Sequence, residues 1–135
     1  MKLRRHPSVP TSLRTSQLAD RLPSSELQLL GQLGTELAIQ PGRRLIREET
    51  VGRECLLLLD GALEVTRTGS QVGAIKPGEF VGELALLTGQ PRNATVDAEA
   101  ESLILAFNRR EFASMMDTCP RAAARLLRSA SKRLP

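Results

Sequence analysis

From Thr35 to Gly78 the chain is a succession of short apolar or alternating runs, each closed by a turn or a polar break: TELAIQPG, RRLIRE, CLLLLDG, ALEVTRTG and SQVGAIKPG. None is long enough for a helix of ordinary length, and the apolar–polar alternation has the two-residue period of a half-buried strand. Pro41-Gly42, Asp60-Gly61, Thr68-Gly69-Ser70 and Pro77-Gly78 provide the turn chemistry. After a loop-like middle, NATVDAEA and SLILAFN read as two more strands, the second so continuously apolar that burial is expected. Short strands at close, regular spacing predict a mainly β fold with flanking helices. The expected architecture is an antiparallel β sandwich or jelly roll (double-stranded β-helix) with an N-terminal helix and two C-terminal helices.

The helices carry the other period. In LPSSELQLLGQL, Ser24 is placed to cap a helix with Leu27, Leu30 and Leu33 on one face, ended by Gly34. NRREFASMMD reads as a helix capped by Asn108, with Phe112 and Met115 or Met116 turned to the core, and a second helix begins near Pro120. That last helix, RAAARLLRSASKRL, sets Ala123, Leu126, Leu127, Ala130 and Leu134 along one stripe. Residues 1–16 mix Pro, Ser, Thr and Arg without apolar periodicity and predict a disordered basic tail, leaving residues 17–135 as one domain. An apolar content of 41% over 135 residues suffices for one core.

Several function classes find no support in the residues. The one histidine, His6, lies in the tail, with no second acid or nucleophile to pair with it. No catalytic residue, metal site or bound cofactor is therefore expected. Cys55 and Cys119 show neither redox-pair nor zinc spacing and read as free thiols, Cys55 as a small buried hydrophobe. With no Trp or Tyr and three Phe, an aromatic platform for single-stranded nucleic acid is not expected. No apolar run approaches a membrane span, and MKLRRHPSVP lacks an apolar core behind its basic start, so a cytoplasmic domain is expected. The net charge of +4 gathers at the ends, in Lys2, Arg4, Arg5 and Arg14 and again in Arg121, Arg125, Arg128, Lys132 and Arg133. This fits either solvated termini or an acidic partner.

Residues 77–96, PGEFVGELALLTGQPRNATV, break the strand pattern and read as a pocket. ELALL can form one helical turn whose unpaired N–H groups, at Leu84, Ala85 and Leu86, face a common point suited to an anion. This segment resembles the phosphate-binding cassette of the cyclic nucleotide-binding domain family, with its F-x-G-E-[LIM]-[AG]-L step followed by P-R-x-A-T-V. Phe80, Gly82, Glu83, Leu84, Ala85, Leu86, Leu87, Pro91, Arg92, Ala94, Thr95 and Val96 fall on that pattern. A looser likeness runs over residues 18–134.

The resemblance implies a ligand and a division of labour. Gly82 would let the backbone approach the sugar phosphate, Glu83 would accept a hydrogen bond from the ribose 2′-hydroxyl, and Arg92 would present a planar fork to the exocyclic phosphate oxygens. The N–H groups of Ala85 and Asn93 would complete the cradle, with Leu84 and Thr95 in the same cassette. Asn93 stands where relatives carry small residues with cAMP or a hydroxyl with cGMP, and the ligand expected is cAMP, with cGMP as the alternative. By the same likeness Arg128 on the last helix would fold over the purine, Arg125 serving instead if the helix register differs. The resulting expectation is a stand-alone bacterial regulatory module, monomer or homodimer, that signals to a protein partner in trans. It lacks a helix-turn-helix, so specific DNA binding is not expected. The alternatives are a protein-interaction scaffold that keeps the fold with weak or lost nucleotide binding, and sequence-indifferent DNA binding by the basic ends.

Overall fold

The computed structural model describes Leu13 and residues 18–132. The chain runs α1 (Ser24–Leu33), β1 (Thr35–Ile39), β2 (Arg44–Ile46), β3 (Glu54–Asp60), β4 (Leu63–Arg67), β5 (Ser70–Ile75), β6 (Phe80–Val81), α2 (Glu83–Thr88), β7 (Thr95–Ala98), β8 (Ser102–Asn108), α3 (Arg109–Thr118) and α4 (Pro120–Ser131). The strands form two four-stranded antiparallel sheets, ordered β1-β8-β3-β6 and β2-β7-β4-β5. This is the expected jelly roll, with one addition. Phe80 and Val81, inside the segment read as pocket, pair with Leu57 and Leu56 as a two-residue strand that delivers the chain to the site.

The run CLLLL in β3 is explained by burial on both faces. Cys55, Leu57 and Leu59 point to one cluster, with Leu105, Phe107 and Phe80 and the apolar faces of α1, α3 and α4. Leu56 and Leu58 point the other way, between the sheets, to Ile46, Val96, Ile104 and Ala106. Alternation thus persists along β3, but both sides are apolar because helices cover the outer one. Cys55 and Cys119 are free and buried, and burial raises the Cys119 thiol pKa, partly offset by its hydrogen bond with Thr118.

The helix ends show where local reading holds and where it does not. At α3 the Asn108 cap is joined by a reciprocal partner: Asn108 Oδ1 accepts from the Glu111 N–H at 2.8 Å and Glu111 Oε1 accepts from the Asn108 N–H at 2.9 Å. At α1, Pro23 occupies the cap position and Ser24 makes no cap bond, so the expected Ser24 cap is corrected: the Pro23 carbonyl accepts from Glu26 and Leu27 instead. Gly34 ends the helix as expected, and its requirement is space, since a Cβ there would lie 2.6 Å from Leu105 Cγ.

Glu26 is buried on α1 and reaches across to α4, accepting from the Arg121 N–H at 3.1 Å and the Ala122 N–H at 2.9 Å. Cys119, at the cap position of α4, contributes no side-chain cap bond, and Pro120 has no N–H to satisfy. A carboxylate from 95 residues away therefore performs the duty that a local Ser or Asp usually has. Two other expectations are corrected. Leu127, placed on the α4 core stripe, is 45% exposed, and the core positions are Ala122, Ala123, Leu126 and Ala130. Leu13, placed in the disordered tail, is fully buried in the helix-side cluster. The rest of residues 1–16, His6 included, and Leu134 lie outside the described residues.

Candidate functional site

The site is built where β6 ends. Gly82 turns the chain with φ +87°, a left-handed conformation that favours glycine, and α2 begins at the next residue. A Cβ on Gly82 would lie 2.7 Å from Arg92 Nη1 and 3.1 Å from the Glu54 carbonyl. Backbone conformation and the seating of Arg92 thus demand glycine here, before any ligand is considered. Gly89 ends α2, also left-handed, with its N–H on the Ala85 carbonyl.

Glu83 and Arg92 are both buried, at 1% and 8% exposure, and both line one cleft of about 270 Å³. Gly82, Leu84, Ala85 and Asn93 line it as well, while Val65, Arg67, Gly73 and Ile75 of β4 and β5 form the facing wall. Its size suits a small ligand. Arg92 donates through Nη1 to the Gly82 carbonyl and through Nη2 to the Glu54 carbonyl, both at 2.6 Å. Burial lowers its pKa; nearby Cys55, Glu54 and Glu83 raise it and Arg109 lowers it. Guanidinium does not give up its proton at ordinary pH, so Arg92 is a partly desolvated cation held by two neutral carbonyls with the Glu54 and Glu83 carboxylates nearby.

Two predicted site residues, Thr95 and Arg128, do not line the cleft. Thr95 Oγ1 accepts from the Glu48 N–H at 3.0 Å, and the Glu48 carboxylate in turn accepts from the Thr68 N–H. Thr68 follows Arg67, whose Nε donates to the Asn93 carbonyl at 2.9 Å. These bonds clamp the end of the cassette between the β2–β3 loop and the β4–β5 turn. Arg128 is also placed elsewhere: it is exposed and outside the cleft lining, whereas Lys132, four residues on, is part of that lining. Arg125 is half-buried and donates through Nε to the Gly78 carbonyl, tying α4 to the turn before β6.

Four contributors escaped sequence reading: Gly52, Arg67, Glu48 and Lys132. Gly52 had a visible but unused signal in VGRE, a glycine outside any turn pair. A Cβ there would collide with Ala85 Cβ and lie 3.3 Å from Arg92 Cζ, so the β2–β3 loop packs tightly behind the cassette. The Gly52 carbonyl also accepts from Arg109 Nη2 at 3.2 Å. Among the described residues no group of His, Cys, Asp and Glu could hold a metal ion, and no helix is long and apolar enough to cross a membrane.

Residues 36–119 match the cyclic nucleotide-binding domain family across the sheets, the cassette and α3. The chain belongs to this family. It is 30% identical over 106 residues to a cAMP-dependent protein kinase regulatory subunit of Yarrowia lipolytica, covering 77% of this chain and 28% of that protein. The chain thus spans about a quarter of that relative's length. Among solved structures it is similar to the regulatory domain of Toxoplasma gondii PKA with cAMP, with a TM-score of 0.73 and 20% identity, covering 90% of this chain and 48% of the other. It is equally similar, with a TM-score of 0.73 and 21% identity, to the regulatory subunit of a cAMP-independent protein kinase A from Trypanosoma brucei, covering 91% and 44%. One fold therefore accompanies both descriptions, and the ligand has to be argued from the cleft.

Proposed function

We propose that this chain is a regulatory module that binds a 3′,5′-cyclic purine nucleotide, cAMP first and cGMP as the alternative, and passes occupancy to a protein partner through α4. The observation that carries the reading is the pair of buried opposite charges, Glu83 and Arg92, lining one cleft with the left-handed Gly82, whose carbonyl Arg92 holds. In this reading Glu83 accepts from the ribose 2′-hydroxyl. Arg92 has used two of its donors on carbonyls and offers the rest of its five-donor fork to the cyclic phosphate. The N–H groups of Ala85 and Asn93 complete the cradle, and Lys132, in place of Arg128, closes the cleft from the end of α4. Catalysis has no part in the proposal, since a ribose-directed acid and a phosphate-directed fork bind without supplying a nucleophile or proton shuttle.

Calorimetric titration with cAMP and then cGMP tests the proposal, with Glu83→Ala and Arg92→Ala as controls. Each charged hydrogen bond contributes about 1.5–3 kcal/mol, so each substitution should weaken binding about tenfold to a hundredfold. Wild-type protein that gives no heat with either nucleotide would overturn it. The second reading, a scaffold that keeps the fold without the ligand, is favoured by one observation: the Arg92 fork already has acceptors in the Gly82 and Glu54 carbonyls. A scaffold would hold its partner equally well as wild type and as Arg92→Ala, with or without nucleotide.

A further inference from the structure

The helix α4 carries three distinct faces. Ala122, Ala123, Leu126 and Ala130 face the core. Arg121, Arg125, Arg128 and Lys132 follow one another at intervals of four, three and four residues, which puts them in one stripe about 16 Å long and within an arc of roughly 60°. Beside that stripe lies an exposed edge of small and apolar residues, Ala124, Leu127 and Ser131, spaced three and four apart.

The cations of this stripe have no carboxylate in ion-pair range among the described residues. Two acids near the helix are engaged with backbone: Glu26 accepts from the N–H groups of Arg121 and Ala122, and Glu79 accepts from the Lys76 N–H. Burial lowers the Arg125 pKa, Arg21 and Arg128 lower it further, and Glu79 is the acid that acts the other way. Like charges are therefore crowded along a helix whose Arg125 is anchored to the Gly78 carbonyl and whose start is held by Glu26.

We infer that the stripe and its apolar edge together form a docking surface for an acidic amphipathic helix of a partner protein. Charge complementarity selects an acidic occupant, and the apolar edge selects among acidic ones. A polyphosphate backbone offers Ala124 and Leu127 nothing to cover. A membrane surface would need more than one large apolar side chain to hold the helix in the interface. A second copy would bring the same cations against themselves. An acidic helix with carboxylates at matching intervals and an apolar row beside them meets both features, as flanking charges and a central seam do in paired helices.

The inference deepens the partner half of the proposed reading, Lys132 being shared by stripe and cleft, and its test uses the full chain without nucleotide, so that it can fail while nucleotide binding stands. The probe is a helical peptide with Glu at intervals of four, three and four and Leu along the adjacent edge, followed by fluorescence polarisation. A peptide of the same composition in scrambled order, double-stranded DNA and phosphatidylserine vesicles serve as comparisons. The ordered peptide should bind more tightly than all three. Arg121→Glu with Arg128→Glu should weaken it about tenfold or more, whereas Arg43→Glu with Arg47→Glu, equal in charge but on the sandwich, should leave it within about twofold. If the first pair unfolds the chain, Arg121→Gln with Arg128→Gln provides the same comparison. Absence of peptide binding, equal binding of the scrambled peptide, tighter binding of DNA or vesicles, or an equal loss from the sandwich pair would each overturn the inference.

Discussion

The two sheets of the sandwich live under different constraints. In the first, β3 and β8 are apolar on both faces, because α1, α3 and α4 cover the side turned away from the second sheet. In the second, the inner face contributes Ile46, Leu63, Ile75 and Val96 to the core, while Arg44, Arg67, Gln71 and Ala74 are exposed. Glu83 and Arg92 come from the cassette between β6 of the first sheet and β7 of the second, and β4 and β5 of the second form the facing wall. A doubly covered sheet thus fixes the point at which the cassette begins, and the more open sheet supplies a wall that side-chain changes can remodel with less effect on the core.

Removing core volume should give the largest difference between them. Leu57→Ala in β3 should cost about 2–5 kcal/mol in chemical denaturation, since Leu57 is fully buried among residues with little freedom to collapse. Val65→Ala, half-buried on the cleft wall, should cost about 1 kcal/mol or less. Equal losses would show that the two sheets are equally constrained and would break the comparison.

A smaller effect should come from the joint on the helix-covered side. Glu26→Gln keeps the shape but leaves one oxygen to serve two N–H groups, and should cost about 1–2 kcal/mol. Amide exchange at Arg121 and Ala122 should quicken while the β4 and β5 amides keep their protection. A loss of protection spread evenly over both sheets would mean that Glu26 holds the whole molecule and not the α1–α4 joint.

The smallest effect belongs to the outer face of the second sheet. Arg44 donates through Nε to Asp97 Oδ1 at 2.8 Å across the β2–β7 pair, where both side chains meet solvent. This pair raises the Arg44 pKa through its hydrogen bond and charge, yet solvent and salt screen its contribution to stability. Asp97→Asn should leave the unfolding transition unchanged within error, and a clear loss would show that the open sheet depends on its surface more than its exposure implies.

What the sequence made legible follows the same division. The strand periods, the turns and the Asn108 cap depend on neighbours within a few residues, and all three appear where the pattern put them. Glu83 and Arg92 were legible as a motif, and the fold brings them to one cleft. Features set by distant chain were not. The Glu26 cap joins helices that no local window contains, and nothing in SSELQLL distinguishes its one buried acid from an exposed one. Likewise, helical spacing orders Arg125, Arg128 and Lys132 along α4 but does not say which of them arrives at the cleft, because that depends on where Gly78 and Glu26 anchor the helix. Leu127 falls outside the core for a related reason: α4 packs on α3 and α2 through Ala122, Ala123, Leu126 and Ala130, and helical spacing alone does not say which edge of an Ala/Leu stripe meets those neighbours.

The seat of Arg92 has a consequence for timing. An arginine free to move in solvent gives up about 2 kcal/mol of rotamer freedom when it is fixed. Here two carbonyls fix it in the folded chain, so that ordering is complete before any visitor reaches the cleft. In the proposed reading, an anion meeting the remaining donors would find a receptor already aimed, and the speed of its capture would be governed by its own diffusion and desolvation, with no wait for the arginine to find its place.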